Sequence, residues 1–197
     1  MIAAAVERVM SRLWPLGSAR LVCTVAGESG VGKTTLARAL ASRLDQRGAR
    51  ALVIHQDDYF RLPPRANHRR RVEDLSWVGP REVDLERLAA DLRAFLQGAA
   101  TLALPTVDES ADRFAVSRHD VSDVRVLVVE GTYVTVLEDT ALRVFVRGSA
   151  DSTRNARRLR GREAIEAITD TILRREHELI ARHEAEAHLV LEQISPS

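Results

Sequence analysis

The sequence of 197 residues contains one cysteine, one lysine, only 4% aromatic residues and almost no net charge. The single cysteine, Cys23, excludes an internal disulfide, and its apolar neighbours predict a buried side chain. The net charge of +1 provides no general attraction for nucleic acid or anionic lipid, so we expect no DNA partner. The sequence shows neither a membrane span nor the apolar core of an export signal, so we expect a cytoplasmic protein that does not associate with membranes.

The hydrophobic pattern predicts one α/β domain over residues 1–197. Apolar residues recur at helical spacing in four segments, and the first of these makes residues 1–17 a lead-in helix. The predicted helices span residues 2–13, 33–46, 81–97 and 165–180. Short β-branched runs predict five strands, at residues 20–26, 51–55, 124–129, 142–146 and 187–191. Strands that alternate with helices form a mostly parallel sheet covered on both faces, so we expect a three-layer sandwich.

Two stretches follow neither pattern. Residues 61–74 are basic and contain Pro63 and Pro64, so we expect an irregular segment there. Its arginines could bind an anionic acceptor or could belong to a mobile loop. Residues 99–123 mix polar and apolar positions, and we expect them to form loops.

Residues 27–34, with the sequence GESGVGKT, form the strongest motif in the chain. They fit the pattern GxxxxGK[ST] of the phosphate-binding P-loop and lie, as that motif requires, between a buried strand and a helix. Glycines let backbone N–H groups point at phosphate oxygens, and the following helix directs the positive end of its dipole toward them. Lys33, the only lysine beside 28 arginines, would neutralise phosphate charge. The predicted nucleotide-binding residues are Gly27, Ser29, Gly30, Val31, Gly32, Lys33, Thr34 and Thr35.

Two acids follow predicted strands, at the edge where open α/β sheets bind their ligands. Asp57 can accept the hydroxyl proton of a substrate or help to hold a metal, and the alternative is a turn or a helix cap. Glu130 can hold a magnesium shell, and the alternative is an exposed acid at a strand end. We therefore expect a Mg²⁺ site formed by Thr34, Glu130 and Asp57 in a P-loop NTPase sandwich.

These residues resemble the uridine kinase and phosphoribulokinase family of P-loop kinases. The similarity follows the family's order through residues 27–34, 56–60, 80–84, 105–108, 129–131, 151–162 and 187–191. The sequence QDDYF at residues 56–60 is also similar to nicotinamide riboside kinases. Where uridine kinases carry the side chains that seat the pyrimidine, this chain has Val107, Glu109 and Asp112.

The resemblance implies a kinase that transfers the γ-phosphoryl group of ATP to a hydroxyl of a nucleoside-like or other small metabolite. It implies that Asp57 activates the hydroxyl, that Lys33 binds phosphate, and that residues 151–163 form an arginine-rich lid. The lid arginines with expected roles are Arg154, which would bind nucleotide, and Arg158 and Arg162, which would be catalytic. The residues expected to bind the acceptor are Asp57, Tyr59, Trp77 and Asp108, with packing as the alternative for the two aromatic residues.

Two functions of other classes stay open at this point. One is an NTP-hydrolysing switch that acts through a protein partner. The other is an RNA-binding module that uses the arginines of residues 154–162, although the near-zero net charge speaks against it. A homodimer is also left open.

Overall fold

The structure, a computed structural model, describes residues 2–17, 19–148 and 167–194. The helices are α1 (Ile2–Leu13), α2 (Lys33–Gln46), α3 (Pro64–Glu73), α4 (Leu85–Leu96) and α5 (Ala167–Ile180). The strands are β1 (Leu21–Gly27), β2 (Ala51–His55), β3 (Thr101–Asp108), β4 (Arg113–Asp120), β5 (Val126–Gly131), β6 (Leu142–Val146) and β7 (Leu189–Leu191). None of the described helices is both long enough and apolar enough to cross a membrane.

Five strands form one parallel sheet in the order β2-β5-β1-β6-β7. This order confirms the predicted α/β fold with a five-stranded sheet. The carboxyl ends of parallel strands lie at one edge, which here carries the P-loop after β1, Asp57 after β2 and Glu130 in β5. Because β5 lies between β1 and β2, Glu130 stands between the P-loop and Asp57.

Apolar side chains are buried on both faces of this sheet. In β5, Val126 and Val128 belong to the core cluster that includes α1 and α2, whereas Leu127 and Val129 belong to the cluster with α4 and the β3–β4 hairpin. Cys23 in β1 is fully buried in the first cluster, and this burial raises the pKa of its thiol to about 12. The two clusters hold the three layers together.

The expectation of loops at residues 99–123 is wrong, because β3 and β4 pair there as an antiparallel hairpin. Leu102 and Leu104 are buried while Thr101 and Ala103 are exposed, so one face of β3 packs on the domain. No residue of β4 is buried. A strand without a buried face carries little apolar alternation, which is why the sequence does not reveal it.

The expectation of an irregular segment at residues 61–74 is wrong over Pro64–Glu73, which form α3. Pro64 occupies the first turn of this helix, where its missing N–H removes no intrahelical hydrogen bond. Only Asn67 is buried on α3. The helix therefore has no apolar stripe that sequence periodicity could detect.

Arg20, which precedes β1, joins three parts of the fold. Its guanidinium donates hydrogen bonds to the carbonyl oxygens of Phe95 at 2.8 Å, Ala99 at 2.7 Å and Val121 at 2.8 Å. These carbonyls lie at the end of α4, just before β3 and just after β4. One side chain therefore fixes α4 and the hairpin against the start of β1.

Arg20→Ala is expected to lower the free energy of unfolding by about 2–4 kcal/mol, because all the hydrogen bonds of one charged donor are lost together. Arg20→Lys should recover only part of this loss, since one ammonium group cannot reach all three carbonyls. Urea denaturation followed by circular dichroism measures both effects. Arg118→Ala, at an exposed position of β4, is the control and should change stability by less than about 0.5 kcal/mol. An Arg20→Ala protein as stable as this control would contradict the prediction.

Candidate active site

The P-loop forms a tight cradle between β1 and α2. Gly30 and Gly32 have positive φ angles of 87° and 98°, which side chains other than glycine rarely adopt. A Cβ atom on Gly32 would also lie 2.3 Å from the carbonyl oxygen of Ile194. The predicted nucleotide-binding residues Gly27 and 29–35 lie in this loop and in the first turn of α2, where the N–H groups of a helix start can meet an anion.

Lys33 and Thr34 begin α2 and extend into the site. Lys33 donates a hydrogen bond from Nζ to the carbonyl oxygen of Glu28 at 2.8 Å. Thr34 donates from Oγ1 to Oε1 of Glu130 at 2.9 Å. The same carboxylate oxygen lies 2.7 Å from Nδ1 of His55, the last residue of β2. One oxygen of Glu130 therefore joins β5 to both α2 and β2.

The charges in this group favour an ionised Glu130. Burial raises the pKa of its carboxyl, but the hydrogen bond from His55 and the charge of Lys33 outweigh burial, and the net pKa is lowered. The hydrogen bond to Glu130 in turn raises the pKa of His55. Sequence reasoning missed His55, whose only signal is its position at the end of a strand.

The oxygen atoms of Thr34, Glu130 and Asp57 are of the type that Mg²⁺ prefers. Thr34 Oγ1 and Glu130 Oε1 lie 2.9 Å apart, a separation that two neighbouring ligands of one octahedral ion can adopt. Within the described ranges, no group of three or more histidine, cysteine or acidic side chains could hold a metal by itself. The spacing of the Thr34 and Glu130 oxygens fits Mg²⁺, which usually keeps several water ligands.

Asp57 lies in the 3-10 turn Gln56–Tyr59 after β2, and its side chain is exposed in an open cleft. The surrounding protein desolvates the carboxyl and the charge of Glu130 adds to this effect, so the pKa of Asp57 is raised above its ordinary 3.8. The charges of Lys33 and Arg71 oppose this rise in pKa. Asp57 therefore lies within electrostatic reach of the P-loop on one side and of α3 on the other.

A cavity of about 190 Å³ opens beside Asp57. Its walls come from the turn after β2, from α3 and from the hairpin. Asp58 fixes the hairpin to this turn, because its Oδ1 accepts a hydrogen bond from the N–H of Val107 at 2.8 Å. The lining includes Asp57, Phe60, His68, Arg71, Val107 and Phe114. Aromatic rings beside charged and polar groups suit a small polar molecule with an apolar face.

Two buried acids hold Arg71 at the cavity. The guanidinium donates to the carboxylate oxygens of Glu82 at 2.6 and 2.9 Å, and it lies 3.4 Å from Glu176 of α5. Glu82 also accepts hydrogen bonds from Asn67 at 3.1 Å and Tyr133 at 3.3 Å. The sequence did not indicate Glu82 or Glu176, because single glutamates in these segments follow no motif. It indicated Arg71 only as part of the basic stretch at residues 61–74.

Two of the residues predicted to bind the acceptor, Tyr59 and Asp108, have hydrogen-bond partners within the fold. Tyr59 is only 2% exposed, and its hydroxyl donates to Asp91 of α4 at 2.9 Å. Asp108 ends β3, and its carboxylate accepts hydrogen bonds from Ser110 at 2.7 Å and from the N–H of Ala111 at 3.1 Å, which closes the hairpin turn. These placements argue against direct contact of either residue with a substrate in the cavity.

Trp77 is half-buried beside the cavity wall rather than in it. Its ring lies under the guanidinium groups of Arg70 and Arg81, at 5.9 and 5.6 Å from the ring centre. Its Nε1 donates to Oδ1 of Asn67 at 2.8 Å. The indole N–H is therefore already bonded, and this placement favours packing over the predicted stacking on a substrate.

The predicted lid at residues 151–163 lies outside the described residues, together with Arg154, Arg158 and Arg162. The roles expected for these arginines stay predictions. The chain returns to the site in α5, where Nδ1 of His177 lies 2.6 Å from Oε1 of Glu28 in the P-loop. The sequence analysis did not predict this contact, because it joins residues 149 positions apart.

Comparison with known proteins agrees with this geometry. Residues 22–196 match the Phosphoribulokinase / Uridine kinase family. The chain is 29% identical over 164 residues to the bifunctional alpha-galactosidase/sucrose kinase AgaSK of Mediterraneibacter gnavus, a match that covers 76% of this chain and 18% of that protein. It is 29% identical over 128 residues to a uridine kinase of Leuconostoc citreum (strain KM20), covering 65% of this chain and 59% of that protein. The chain thus spans less than two thirds of either relative.

The fold is also similar to a solved structure of phosphoribulokinase from Rhodobacter spheroides, with a TM-score of 0.69 and 18% sequence identity. That match covers 89% of this chain and 71% of the other. The family match includes the P-loop, the strand-end acids and α5. With a family match over residues 22–196 and the phosphate cradle in place, this chain belongs to the phosphoribulokinase/uridine kinase family.

Proposed function

We propose that this chain is a kinase that transfers the γ-phosphoryl group of ATP, with Mg²⁺, to a hydroxyl group of a small metabolite. The position of Asp57 carries the proposal, because its carboxylate lines the cavity and also responds to the charge of Lys33. A molecule in the cavity can present a hydroxyl to Asp57 on the side that faces the phosphate cradle. Membership of a kinase family supports the same assignment.

In the proposed reaction, Asp57 accepts the proton of the acceptor hydroxyl while the hydroxyl oxygen attacks the γ-phosphorus. A bond forms between that oxygen and the phosphorus, and the bond from the phosphorus to the β–γ bridging oxygen breaks, which leaves ADP. The raised pKa makes the ionised Asp57 a stronger base than an ordinary aspartate.

On the donor side, the P-loop N–H groups and Lys33 would hold the phosphates. Lys33 would exchange its hydrogen bond to the Glu28 carbonyl for bonds to phosphate oxygens. Thr34 and Glu130 would hold the metal, and His55 keeps Glu130 ionised for that task. When bound, Mg²⁺ supplies positive charge that stabilises the phosphate oxygens during transfer.

We propose a compact nucleoside-like or sugar-like alcohol as the acceptor. The relatives above are named as a sucrose kinase and a uridine kinase, so both chemistries occur among similar proteins. Phe60 and Phe114 can pack on the apolar face of a ring, and His68 and Arg71 carry N–H groups for hydroxyl oxygens. The volume of about 190 Å³ is smaller than a pocket for drug-sized ligands, which favours a small acceptor.

Asp57→Asn is expected to lower kcat by about 10²–10⁴-fold, because an amide keeps the size of the side chain but cannot take the hydroxyl proton. Its affinity for ATP should be nearly unchanged, since the P-loop is intact. The full chain is incubated with Mg²⁺, ATP and a panel of nucleosides, sugars, sugar alcohols and vitamins. Mass spectrometry then identifies the alcohol that gains one phosphoryl group, and steady-state kinetics on that acceptor compare the variants.

Asp58→Asn is the matched control for this experiment. Asp58 uses one carboxylate oxygen to accept the N–H of Val107, and an amide oxygen can accept the same bond. This variant should therefore keep most of its activity. Full activity of Asp57→Asn would contradict its role as the base, and ATP hydrolysis without phosphorylation of any alcohol would favour the NTP-hydrolysing switch.

The value of kcat/KM is expected to fall as the pH is lowered through the pKa of Asp57, because only the ionised carboxylate can accept a proton. Desolvation by the surrounding protein and the charge of Glu130 raise this pKa, while Lys33, Arg71 and His55 oppose the rise. The acidic limb should therefore lie at higher pH than for an ordinary aspartate of pKa 3.8. A pH–rate profile of the wild type and of Asp57→Asn measures this. An acidic limb that persists unchanged in the variant would assign the titration to another group.

A further inference from the structure

Helix α5 reaches both sides of the site through two consecutive residues. Nδ1 of His177 lies 2.6 Å from Oε1 of Glu28 in the P-loop. Oε1 of Glu176 lies 3.4 Å from the guanidinium of Arg71, which lines the cavity. Neither contact has a part in the proton transfer or phosphoryl transfer proposed above. Together they join the nucleotide loop to the acceptor cavity.

On the nucleotide side, His177 contacts Glu28, the P-loop residue that is also hydrogen-bonded to Lys33. Glu28 is 7% exposed, and its carbonyl oxygen accepts the 2.8 Å hydrogen bond from Nζ of Lys33. A carboxylate in this loop would repel nucleotide phosphates if it turned toward them. The bond to His177 therefore fixes the direction of this negative charge and the loop segment to which Lys33 is bonded.

On the acceptor side, Glu176 starts a continuous series of polar contacts. It is 6% exposed, and burial raises the pKa of its carboxyl. Its partner Arg71 donates to both oxygens of Glu82, which also accepts from Nδ2 of Asn67 at 3.1 Å. Oδ1 of Asn67 accepts the N–H of Trp77 at 2.8 Å. The series therefore connects α5 with an intrinsic fluorophore.

Apolar packing on either side of the pair fixes α5. Ile172 and Ile180 are 4% and 0% exposed, and Ile180 belongs to the core cluster with α4 and the hairpin. A packed helix shifts as a unit rather than deforming continuously. A displacement of His177 therefore also moves Glu176, and a displacement of Glu176 also moves His177.

We propose that Glu176 and His177 are positioning residues through which α5 couples the P-loop to the acceptor cavity. Occupation of the P-loop then changes the surroundings of Arg71 and Trp77 before any acceptor is present. The inference rests on the proposed function, which assigns ATP to the P-loop and the acceptor to the cavity.

Trp77 makes the coupling measurable without a known acceptor. The chain has two tryptophans, and Trp14 is half exposed beside the amino end of β5, so Trp14→Phe leaves Trp77 as the single tryptophan. The full chain with Trp14→Phe is titrated with Mg²⁺ and AMP-PNP, a non-hydrolysable analogue of ATP. Calorimetry measures the affinity, and fluorescence measures the response of Trp77. We expect a saturable change of emission that follows binding.

Three variants in the Trp14→Phe background test the contact of His177 with Glu28 and the contact of Glu176 with Arg71 separately. His177→Ala should weaken AMP-PNP binding about tenfold and remove most of the emission change at saturation. His177→Asn places an amide N–H near the position of Nδ1 and should restore both. Glu176→Gln leaves the contact between His177 and Glu28 in place and should reduce the emission change at saturation, because it weakens the ion pair with Arg71.

Arg175→Ala is the matched control, since Arg175 lies on the same helix and, among the described residues, forms its ion pair with exposed Glu178 at 3.4 Å. It should behave like the parent, and thermal unfolding of every variant checks that the fold is kept. Normal binding without an emission change, or an emission change that His177→Ala leaves intact at saturation, would overturn the coupling. If the parent binds no AMP-PNP, the proposed function itself fails and the inference fails with it.

Discussion

The hydrogen bonds to one oxygen of Glu130 determine how the site is assembled. Thr34 approaches this oxygen from α2 and His55 from β2, so a single carboxylate sets the distance between three neighbouring elements. The strand order allows this, because β5 lies between β1 and β2 and pairs His55 with Glu130 in register. A slip of β2 by one residue would turn His55 to the other face of the sheet and draw Asp57 away from the P-loop.

The sheet and the phosphate cradle could be predicted from the sequence because both depend on local patterns. Parallel strands buried on both faces appear as β-branched runs, and the P-loop requires glycine, lysine and threonine at fixed spacing. The cavity could not be predicted, because α3 has one buried residue, β4 has none, and neither shows an apolar period. Tyr59 illustrates the same limit, because an aromatic residue beside Asp57 can contact a ligand or pack in the core. Only the tertiary structure shows that its hydroxyl donates a hydrogen bond to Asp91.

Ion pairs and hydrogen bonds, and not apolar packing alone, fix the wall of the cavity. Arg71 sits between Glu82 and Glu176, and Asn67 and Tyr133 occupy further positions on Glu82. Buried ion pairs add little net stability, because desolvation offsets their attraction. A well-bonded network does hold its N–H groups in fixed directions, and recognition of an alcohol depends on such directions. The arrangement therefore favours fixed hydrogen-bond directions at the cavity over stability of the fold.

Lys33 is the only ε-amino group in these 197 residues, and it lies in the phosphate cradle. A reagent that modifies side-chain amines would therefore react with one lysine in this sequence, whereas in most proteins it modifies many surface lysines at once. An isotope-labelled methyl group placed on this amine would give one resonance whose position reports on occupancy of the loop. The preference for arginine elsewhere in the chain thus makes the P-loop amine spectroscopically unique.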